Sequence, residues 1–478
     1  MAEDAIFSPI TLPSGVVLSN RLVKVALYEH LAKLFGGPPN SYHFQVYKRW
    51  SQHDWAMILT GNVQVMPDHI CLGRDLVAPS GFSDTELRPF KELADAIHGQ
   101  REHRPKAILQ LSHAGRQSPN FIGGRPPFVA PLAPSSIRLG STLKEKGWLS
   151  GLIHQAMFGI PRTMSLADID QVVDAFVRGA RVASLANFDG VQLHVAHGYL
   201  LAQFISPKSN LRTDEYSCAP ANTLRLLNRI VVGIRSTVPP DFILGLKINS
   251  ADYADVSAAG EASSALDHVR TIASWGLVDF LEISGGDYEK PDFVATAASA
   301  SSRQALFAEF SQEALRVTQD MPHPPLILLT GGLTTPAQLH RALSNNHTHL
   351  LGLGRSAILR PDLPTLLKDG PSDPNALFAP LPDLGVHGWW ATLLSGLPQI
   401  KLIGAGVAMA WYTVELRRLG KSGAQIGADY RIGAMGSLFW MWAWAGPEPL
   451  SLVPVFLASV PVLAVAWYLL QVITRTAV

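Results

Sequence analysis

Short apolar runs recur along the chain as far as residue 353, and segments with helical periodicity separate them. Runs that are apolar at nearly every position are typical of strands with both faces buried. We predict eight such strands: Arg21–Leu27, Trp55–Thr60, Lys106–Leu111, Gly190–His194, Ile243–Lys247, Phe280–Ile283, Leu326–Leu329 and His349–Leu353. Strands that alternate with helices form a parallel sheet, and eight such units predict an α/β fold of the (β/α)8 TIM barrel type.

The connections between these strands carry two further signals. Ser165 and Asp168 form a capping-box pattern, which predicts the start of a helix. The preceding connection, residues 117–163, is rich in Gly, Pro and Ser and is too long for an ordinary barrel loop. Because barrel enzymes hold their active sites at the C-terminal ends of the strands, we expect this excursion to cover that mouth.

The barrel pattern ends near residue 370, and the chain then changes character. We predict a barrel domain over residues 1–370, a Pro-rich linker over 371–388 and a hydrophobic helical extension over 389–478. Residues 451–474 include no charged side chain, and their number suffices to cross a hydrocarbon core of ~30 Å. The Trp-rich segment 432–447 is expected at the membrane interface or as the first arm of a hairpin.

The extension therefore predicts attachment to a membrane. Its basic cluster consists of Arg417, Arg418, Lys421 and Arg431 and lies between the barrel and the apolar segment. The positive-inside tendency then places the catalytic domain in the cytoplasm. Two alternatives stay open: a hydrophobic helix packed on the barrel, and a hydrophobic surface for another subunit.

Composition narrows the classes of partner and cofactor. The chain has 478 residues, a formal net charge of +1 and no long basic run, so nucleic acid is not a predicted partner. Its two cysteines, Cys71 and Cys218, are too few for a cluster held by four thiolates, and we predict no metal site. A homo-oligomer is compatible with the sequence.

A group of side chains suited to catalysis lies at the end of the fourth predicted strand. His194 ends that strand, His197 follows at a spacing of three, and the phenol of Tyr199 comes next. At the C-terminal end of a barrel strand, such side chains point into the mouth. Two imidazoles can hold a carbonyl oxygen and a tyrosine can deliver a proton. From these residues alone, a zinc pair or two hydrogen-bonded loop histidines are equally open.

The longer stretch decides between these alternatives. Residues 194–216 read HVAHGYLLAQFISPKSNLRTDEY, and this segment closely resembles the signature of the old yellow enzyme family of FMN-dependent ene-reductases. Residues 20–23 (NRLV) and 109–116 (LQLSHAGR) resemble motifs of the same family. The resemblance covers about residues 5–365.

The resemblance implies a cofactor, a co-substrate and a set of residues. FMN would be bound at the barrel mouth, and NAD(P)H would be the co-substrate. His194 and His197 would hold the substrate carbonyl oxygen, and Tyr199 would donate the proton. The implied cofactor-binding residues are Ala26, Tyr28, Gly61, Gln110, Lys247, Gly331, Gly332, Gly354 and Arg355. Tyr28 stands where the family usually has Thr or Cys, and Lys247 replaces the commoner Arg.

The implied reaction moves hydride from NAD(P)H through flavin N5 to the β-carbon of an α,β-unsaturated carbonyl compound, with Tyr199 protonating the α-carbon. A small-molecule enone is thus the expected substrate. Two other functions stay open: a membrane-tethered flavin-binding scaffold without activity, and a relative of the dienoyl-CoA reductases that lacks the iron–sulfur cluster.

Overall fold

A computed structural model describes residues 5–140, 154–249, 260–284, 297–370, 377–382, 384 and 406–446. Its strands are β1 (Ile10–Thr11), β2 (Val17–Leu18), β3 (Leu22–Lys24), β4 (Met57–Gln64), β5 (Leu76–Val77), β6 (Lys106–Ser112), β7 (Leu132–Ala133), β8 (Arg162–Thr163), β9 (Gly190–Val195), β10 (Ile243–Asn249), β11 (Phe280–Ser284), β12 (Leu326–Thr330) and β13 (Leu350–Leu353).

The α-helices of the described residues are α1 (Ser41–Ser51), α2 (Asp84–His98), α3 (Leu166–Leu185), α4 (Leu200–Ile205), α5 (Arg225–Arg235), α6 (Gly260–Ser274), α7 (Ala297–Thr318), α8 (Pro336–Ser344), α9 (Arg355–Leu359), α10 (Leu363–Asp369), α11 (Gly406–Leu419) and α12 (Ala434–Ala443). A 3-10 turn, Gly115–Gln117, follows β6.

Eight parallel strands close into a barrel. The hydrogen-bonded order is β3, β13, β12, β11, β10, β9, β6 and β4, and a further pairing of β3 with β4 completes the ring. All eight predicted strands are confirmed, with boundaries that differ by a few residues. The largest difference is at β4, which continues to Gln64 through an irregularity between Leu59 and Asn62. The predicted barrel is therefore the observed fold.

The barrel interior is filled by apolar side chains of alternating strand positions. Val25, Met57, Ile108 and Phe280 belong to one buried cluster inside the ring. Gly245 makes room for this packing, because a Cβ atom there would lie 2.1 Å from Cζ of Phe280. The filled interior leaves the strand ends, rather than a channel, as the place for a site.

The capping box before α3 is confirmed. The Ser165 hydroxyl accepts a hydrogen bond from the backbone N–H of Asp168 at 3.2 Å, and the Asp168 carboxylate accepts one from the N–H of Ser165 at 2.7 Å. Before this helix, β7 and β8 pair in parallel within the long excursion. Part of that excursion, residues 141–153, lies outside the described residues.

Helices α11 and α12 of the extension pack on the barrel. Trp411 and Leu416 of α11 are 1% and 0% exposed and belong to the same apolar cluster as the helices around the barrel. The basic cluster does not form one surface, because Arg417 is 5% exposed whereas the Arg431 side chain is 89% exposed. Within the described residues, no helix combines the length and apolar character that a membrane crossing needs. The segment predicted to span, residues 451–474, lies outside them.

Candidate active site

A chain of four polar side chains crosses the C-terminal ends of the central strands. Nε2 of Gln110 on β6 donates to Oε1 of Gln192 on β9 at 2.6 Å. Nε2 of Gln192 donates to Oε2 of Glu282 on β11 at 2.7 Å. Oε1 of Glu282 forms an ion pair with Nζ of Lys247 on β10 at 2.9 Å. Two predicted cofactor residues, Gln110 and Lys247, thus stand at the two ends of one network.

His194 lies beside this network, because its register partner on β10 is Lys247. The imidazole is 4% exposed. Burial lowers its pKa well below the usual range, and the charges of His197 and Lys247 lower it further. Nδ1 of His194 accepts a hydrogen bond from the N–H of Ala196 at 3.3 Å, so the neutral ring carries its proton on Nε2. His194 is therefore a neutral hydrogen-bond donor.

The side chain of His197 reaches the site because its backbone adopts an unusual conformation. Its φ is +56°, in the left-handed region that costs a non-glycine residue of order 1 kcal/mol. Amide side chains hold this turn: Nε2 of Gln117 donates to the carbonyl of His197 at 2.7 Å, and Nε2 of Gln203 donates to that of Gly198 at 2.8 Å. Nδ1 of His197 lies 3.3 Å from Nε2 of His194. The turn thereby brings the two imidazoles together.

Tyr199 faces the same point from the end of this turn. Its ring centroid lies 4.6 Å from that of His194 in an edge-on arrangement. Nδ2 of Asn62 on β4 donates to the phenol oxygen at 3.0 Å, and the phenol O–H donates to Sγ of Cys71 at 3.6 Å. Burial raises the pKa of the Cys71 thiol, so this sulfur is an uncharged and weak acceptor. Asn62 thus fixes the phenol oxygen, and the phenol proton is directed at a weak acceptor.

The two predicted residues after β3 have different surroundings. Ala26 is 8% exposed and lies at the top of the apolar interior. Tyr28 packs beside Cys71 and Tyr199. Burial lowers the pKa of the Arg74 and Arg417 guanidinium groups, and the Tyr28 phenol partly opposes this lowering in both. Tyr28 is thus positioned to contact both a ligand near Tyr199 and the extension.

Gly61 of β4 packs closely against the segment that follows β3. A Cβ atom there would lie 2.6 Å from the carbonyl oxygen of Leu27, so only glycine fits. Its N–H donates to Oε1 of Glu29 at 3.2 Å. Glu29 is buried and interacts with Lys24, whose pKa burial lowers to about 8 although the Glu29 charge raises it. Glu29 thus places a buried carboxyl group beside Gly61, and its charge interacts with that of Lys24.

The four residues predicted to bind phosphate follow β12 and β13. Gly331 and Gly332 have φ angles of 120° and 70°, which side-chain-bearing residues rarely adopt. Gly354 precedes α9, and Arg355 is its first residue. The hydroxyl of Thr330, next to Gly331, is buried and has no hydrogen-bond partner among the described residues. Flexible peptide N–H groups, a guanidinium and an unpaired hydroxyl form a donor set that suits a phosphate.

These residues fit a flavin mononucleotide. An amide at Gln110 matches the donors and acceptors of a pyrimidine edge, and the Lys247 ammonium matches a site of negative charge. The glycine turns after β12 and β13 match a single phosphate. The structure therefore brings the predicted catalytic set and the predicted cofactor set to one end of the barrel.

The linear motifs did not reveal five further residues of the site: Gln192, Glu282, Asn62, Cys71 and Glu29. Two of them had a signal. Gln192 precedes His194 by two positions, so both side chains lie on the same face of a strand. Glu282 is a single carboxylate in an otherwise apolar strand, and buried carboxylates are rare without a partner.

Comparison with known proteins places this geometry in context. Residues 5–373 match the model of the NADH:flavin oxidoreductase / NADH oxidase family. An NADH-dependent flavin oxidoreductase of Neonectria sp. is 36% identical over 373 residues, which cover 76% of this chain and 47% of that protein. A second NADH-dependent flavin oxidoreductase, from Talaromyces variabilis, is 33% identical over 440 residues, which cover 88% of this chain and all of that protein.

A solved structure agrees with the fold. An old yellow enzyme homologue from Zymomonas mobilis superimposes with a TM-score of 0.60 at 20% identity, covering 78% of this chain and 96% of that one. At this identity the likeness concerns the barrel fold alone. The alignment with the Talaromyces variabilis relative covers 88% of this chain and so continues past residue 373, beyond the family match.

Proposed function

We propose that this chain, which belongs to the NADH:flavin oxidoreductase / NADH oxidase family, is an FMN-dependent ene-reductase. As a member of this family, with an old yellow enzyme fold, the chain is an NAD(P)H-dependent flavin oxidoreductase. The finer proposal concerns the reaction: reduction of the carbon–carbon double bond of an α,β-unsaturated carbonyl compound. The observation that carries it is the convergence of His194, His197 and Tyr199 at the C-terminal end of β9.

The two histidines would bind the carbonyl oxygen of the substrate. The Nε2 proton of neutral His194 points toward His197, and the Nε2 atom of His197 lies 3.2 Å from the hydroxyl of Ser284. A carbonyl oxygen that takes the place of Nδ1 of His197 as acceptor would receive the hydrogen bond of the His194 Nε2 proton, and rotation of the His197 ring would turn its own N–H to the same oxygen. As negative charge develops on that oxygen, these donors stabilise it more strongly than they stabilise the neutral carbonyl.

Tyr199 would supply the proton to the α-carbon. Its O–H is directed at the weak acceptor Cys71 and so loses little when it turns to the substrate. Asn62 donates to the same phenol oxygen and stabilises the negative charge left after the proton departs. The residues of this chain thus provide both an anchor for the oxygen and an acid for the carbon.

The cofactor would be FMN, held by Gln110, Lys247 and the residues after β12 and β13. When bound, FMN would carry the hydride between NAD(P)H and the β-carbon of the enone. Glu282 compensates the charge of Lys247, and burial keeps water from this ion pair. The protein therefore sets the position and the electrostatic environment of the redox group.

A two-step experiment tests the proposal. Protein purified with FMN is first mixed with NADH or NADPH without oxygen, and flavin absorbance is followed; 2-cyclohexenone is then added. Ene-reductase activity predicts bleaching in the first step and recovery of absorbance with formation of cyclohexanone in the second. Bound flavin that no enone reoxidises would support the scaffold alternative instead. Release of FAD rather than FMN on heating would refute the cofactor assignment.

Attachment to a membrane remains a proposal, with the barrel in the cytoplasm. Helix α12 supports it, because one of its faces packs on the barrel while Phe439, Trp440 and Trp442 are 62%, 55% and 47% exposed. Such aromatic side chains favour the membrane interface. Residues 451–473 would provide the span.

Cell fractionation tests this attachment. The full chain should require detergent for extraction, whereas a variant that ends at Gly446 and keeps α12 should be released by carbonate. Full-length protein that is soluble without detergent would exclude a spanning helix. The double variant Phe439→Ser with Trp440→Ser removes exposed aromatic side chains of α12 but keeps the proposed span. It therefore tests the interfacial contact alone.

A further inference from the structure

Two arginines fasten the extension to the barrel mouth. Arg417 of α11 donates through Nη2 to Nδ1 of His30 at 2.7 Å, and His30 lies in the loop after β3. Arg74, in the loop after β4, donates through Nη2 to the carbonyl of Trp444 at 2.7 Å, directly beyond α12. The donor belongs to the extension in the first contact and to the barrel in the second. The extension therefore has a defined position at this rim of the barrel.

Aromatic contacts reinforce the same attachment. The guanidinium carbon of Arg417 lies 4.3 Å from the Trp444 ring centroid, and that of Arg74 lies 5.0 Å from it. The ring of Tyr42 on α1 meets Trp444 edge-on at 5.2 Å. Burial lowers the pKa of Arg417, and the charge of Arg74 lowers it further. A tryptophan that contacts both guanidinium groups offsets part of their mutual repulsion.

The attached helices bring apolar side chains against the proposed proton donor. Ala410 of α11 and Met441 of α12 are 0% and 2% exposed, and they form one buried cluster with Tyr199, Cys71 and the barrel residues Leu72 and Ala114. Met409 and Leu438 pack at its edge. We name Met409, Ala410, Leu438 and Met441 the apolar wall. The wall belongs to the same cluster as the residue that would protonate the α-carbon.

We propose that the apolar wall is part of the substrate site and selects enones that carry a large hydrocarbon group on the α-carbon. This inference rests on the proposed function. Because Tyr199 would donate to the α-carbon, side chains clustered with Tyr199 lie beside the substituent of that carbon. The wall presents thioethers and alkyl groups, so a hydrocarbon is the substituent that it would desolvate without loss of hydrogen bonds.

Two features of the relatives are consistent with this role. The alignment with the Talaromyces variabilis protein continues past residue 373, whereas the alignment with the Zymomonas mobilis homologue covers 78% of this chain and 96% of its own. The family match ends at residue 373, so the wall residues lie outside it. A segment that shares a buried cluster with the proposed proton donor is suited to change substrate choice without changing the chemistry.

The test compares 2-cyclohexenone, 2-methylcyclohexenone and 2-butylcyclohexenone with the full-length holoenzyme. In wild type, kcat/KM should rise along this series. Met441→Ala should lower the ratio of butyl to unsubstituted substrate roughly 10-fold, and Ala410→Leu should lower it by filling the space. Flavin reduction by NAD(P)H is measured in both variants, so that a change in the first half-reaction is separated from a change in the ratio.

A matched control and a binding assay complete the design. Leu416→Ala removes a similar volume from α11 but faces the barrel helices, so the ratio should stay at the wild-type value. Phenol and 2-butylphenol are titrated against the flavin absorption of each variant, which measures affinity without turnover. Should Met441→Ala fail to retain FMN, Leu438→Ala replaces it.

The outcomes separate the two proposals. A ratio within twofold of wild type in both wall variants, together with unchanged relative affinity for the two phenols, overturns the wall as part of the substrate site. Absence of turnover with all three enones in wild type refutes the proposed function instead. In that case a loss of 2-butylphenol affinity in Met441→Ala alone would still support the wall as a ligand-binding surface.

Discussion

The floor and the wall of this site are built in opposite ways. The floor consists of Gln110, Gln192, Glu282 and Lys247, which are polar and lie on four barrel strands. The register of the strands fixes their neighbours: Gln110 faces Gln192, and Lys247 faces Glu282. The wall is apolar and comes from a segment that follows the barrel in the sequence.

This difference assigns the redox reaction to the floor and the choice of substrate to the wall. Side chains that must be positioned within a fraction of an ångström are best placed on barrel strands, because backbone hydrogen bonds on both sides hold each strand in position. A wall that only has to match a hydrocarbon shape tolerates exchange of one apolar residue for another. Substitutions in the floor should therefore change rates and potentials, whereas substitutions in the wall should change substrate preference.

The largest effect is expected for Tyr199→Phe. Enone reduction should slow about 10²–10⁴-fold because the general acid is lost, while flavin reduction by NAD(P)H needs no such proton. Rapid-mixing measurements of the two half-reactions give the two rates separately. Tyr216→Phe, which alters a buried phenol bonded to Arg229, serves as the control. Equal slowing of both half-reactions would show that Tyr199 has another role.

A smaller loss is expected when both imidazoles are removed. The variant His194→Ala with His197→Ala should bind phenolate ligands roughly 10- to 100-fold more weakly, because hydrogen bonds to a charged group contribute about 1.5–3 kcal/mol. Titration of the charge-transfer band measures this affinity. His98→Ala, which alters a histidine paired with Asp189 away from the site, should bind as wild type does. Unchanged affinity in the double variant would contradict the role of the histidine pair.

The attachment of the wall should weaken in acid through His30. Burial and the charge of Arg417 lower the pKa of His30 well below the usual value. The unfolded chain takes up a proton below about pH 6.5 and the folded chain does not, so stability is lost as pH falls below 6.5. The expected loss is about 1.4 kcal/mol per pH unit from this residue.

Denaturant unfolding at pH 7.5, 6.5 and 5.5 measures that slope. His30→Gln should show a shallower decline than wild type below pH 6.5, even if its stability at pH 7.5 is lower. Leu416→Ala, which removes no titratable group, is the control and should keep the wild-type slope. If His30→Gln keeps the wild-type slope, His30 does not contribute to the loss of stability between pH 7.5 and 5.5.

The smallest effect concerns the redox potential of the floor. Glu282→Gln would leave the Lys247 charge uncompensated beside the cofactor, which favours the more negative reduced flavin. The midpoint potential should therefore rise, by about 30 mV if the change is worth ~1.4 kcal/mol. Lys247→Met should shift it in the opposite direction. Potentiometric titration against a reference dye distinguishes these shifts from no change.

The sequence revealed more of the floor than of the wall. Eight continuous apolar runs predicted the barrel because strands buried on both faces leave that pattern. The turn from His194 to Tyr199 was visible because its residues are consecutive. Gln192 and Glu282 were not, because they meet across neighbouring strands of the ring and not along the chain.

The packing of the extension could not be predicted for a different reason. Helix α12, AMGSLFWMWA, is apolar almost all round, and such a helix suits either a protein interior or a lipid interface. The deciding contact joins Arg417 to His30, which lie 387 positions apart in the chain. No local pattern marks a buried arginine whose partner is so distant.

The same separation has a consequence for biosynthesis. A ribosome releases the eight strands before it makes α11 and α12, and domains generally fold in that order. At a synthesis rate of about 5–20 residues per second, the mouth of the young barrel stays open for several seconds. The contact between Arg417 and His30 can form only after that interval, because α11 is made after the barrel strands. The order of translation therefore sets the order in which the extension joins the barrel.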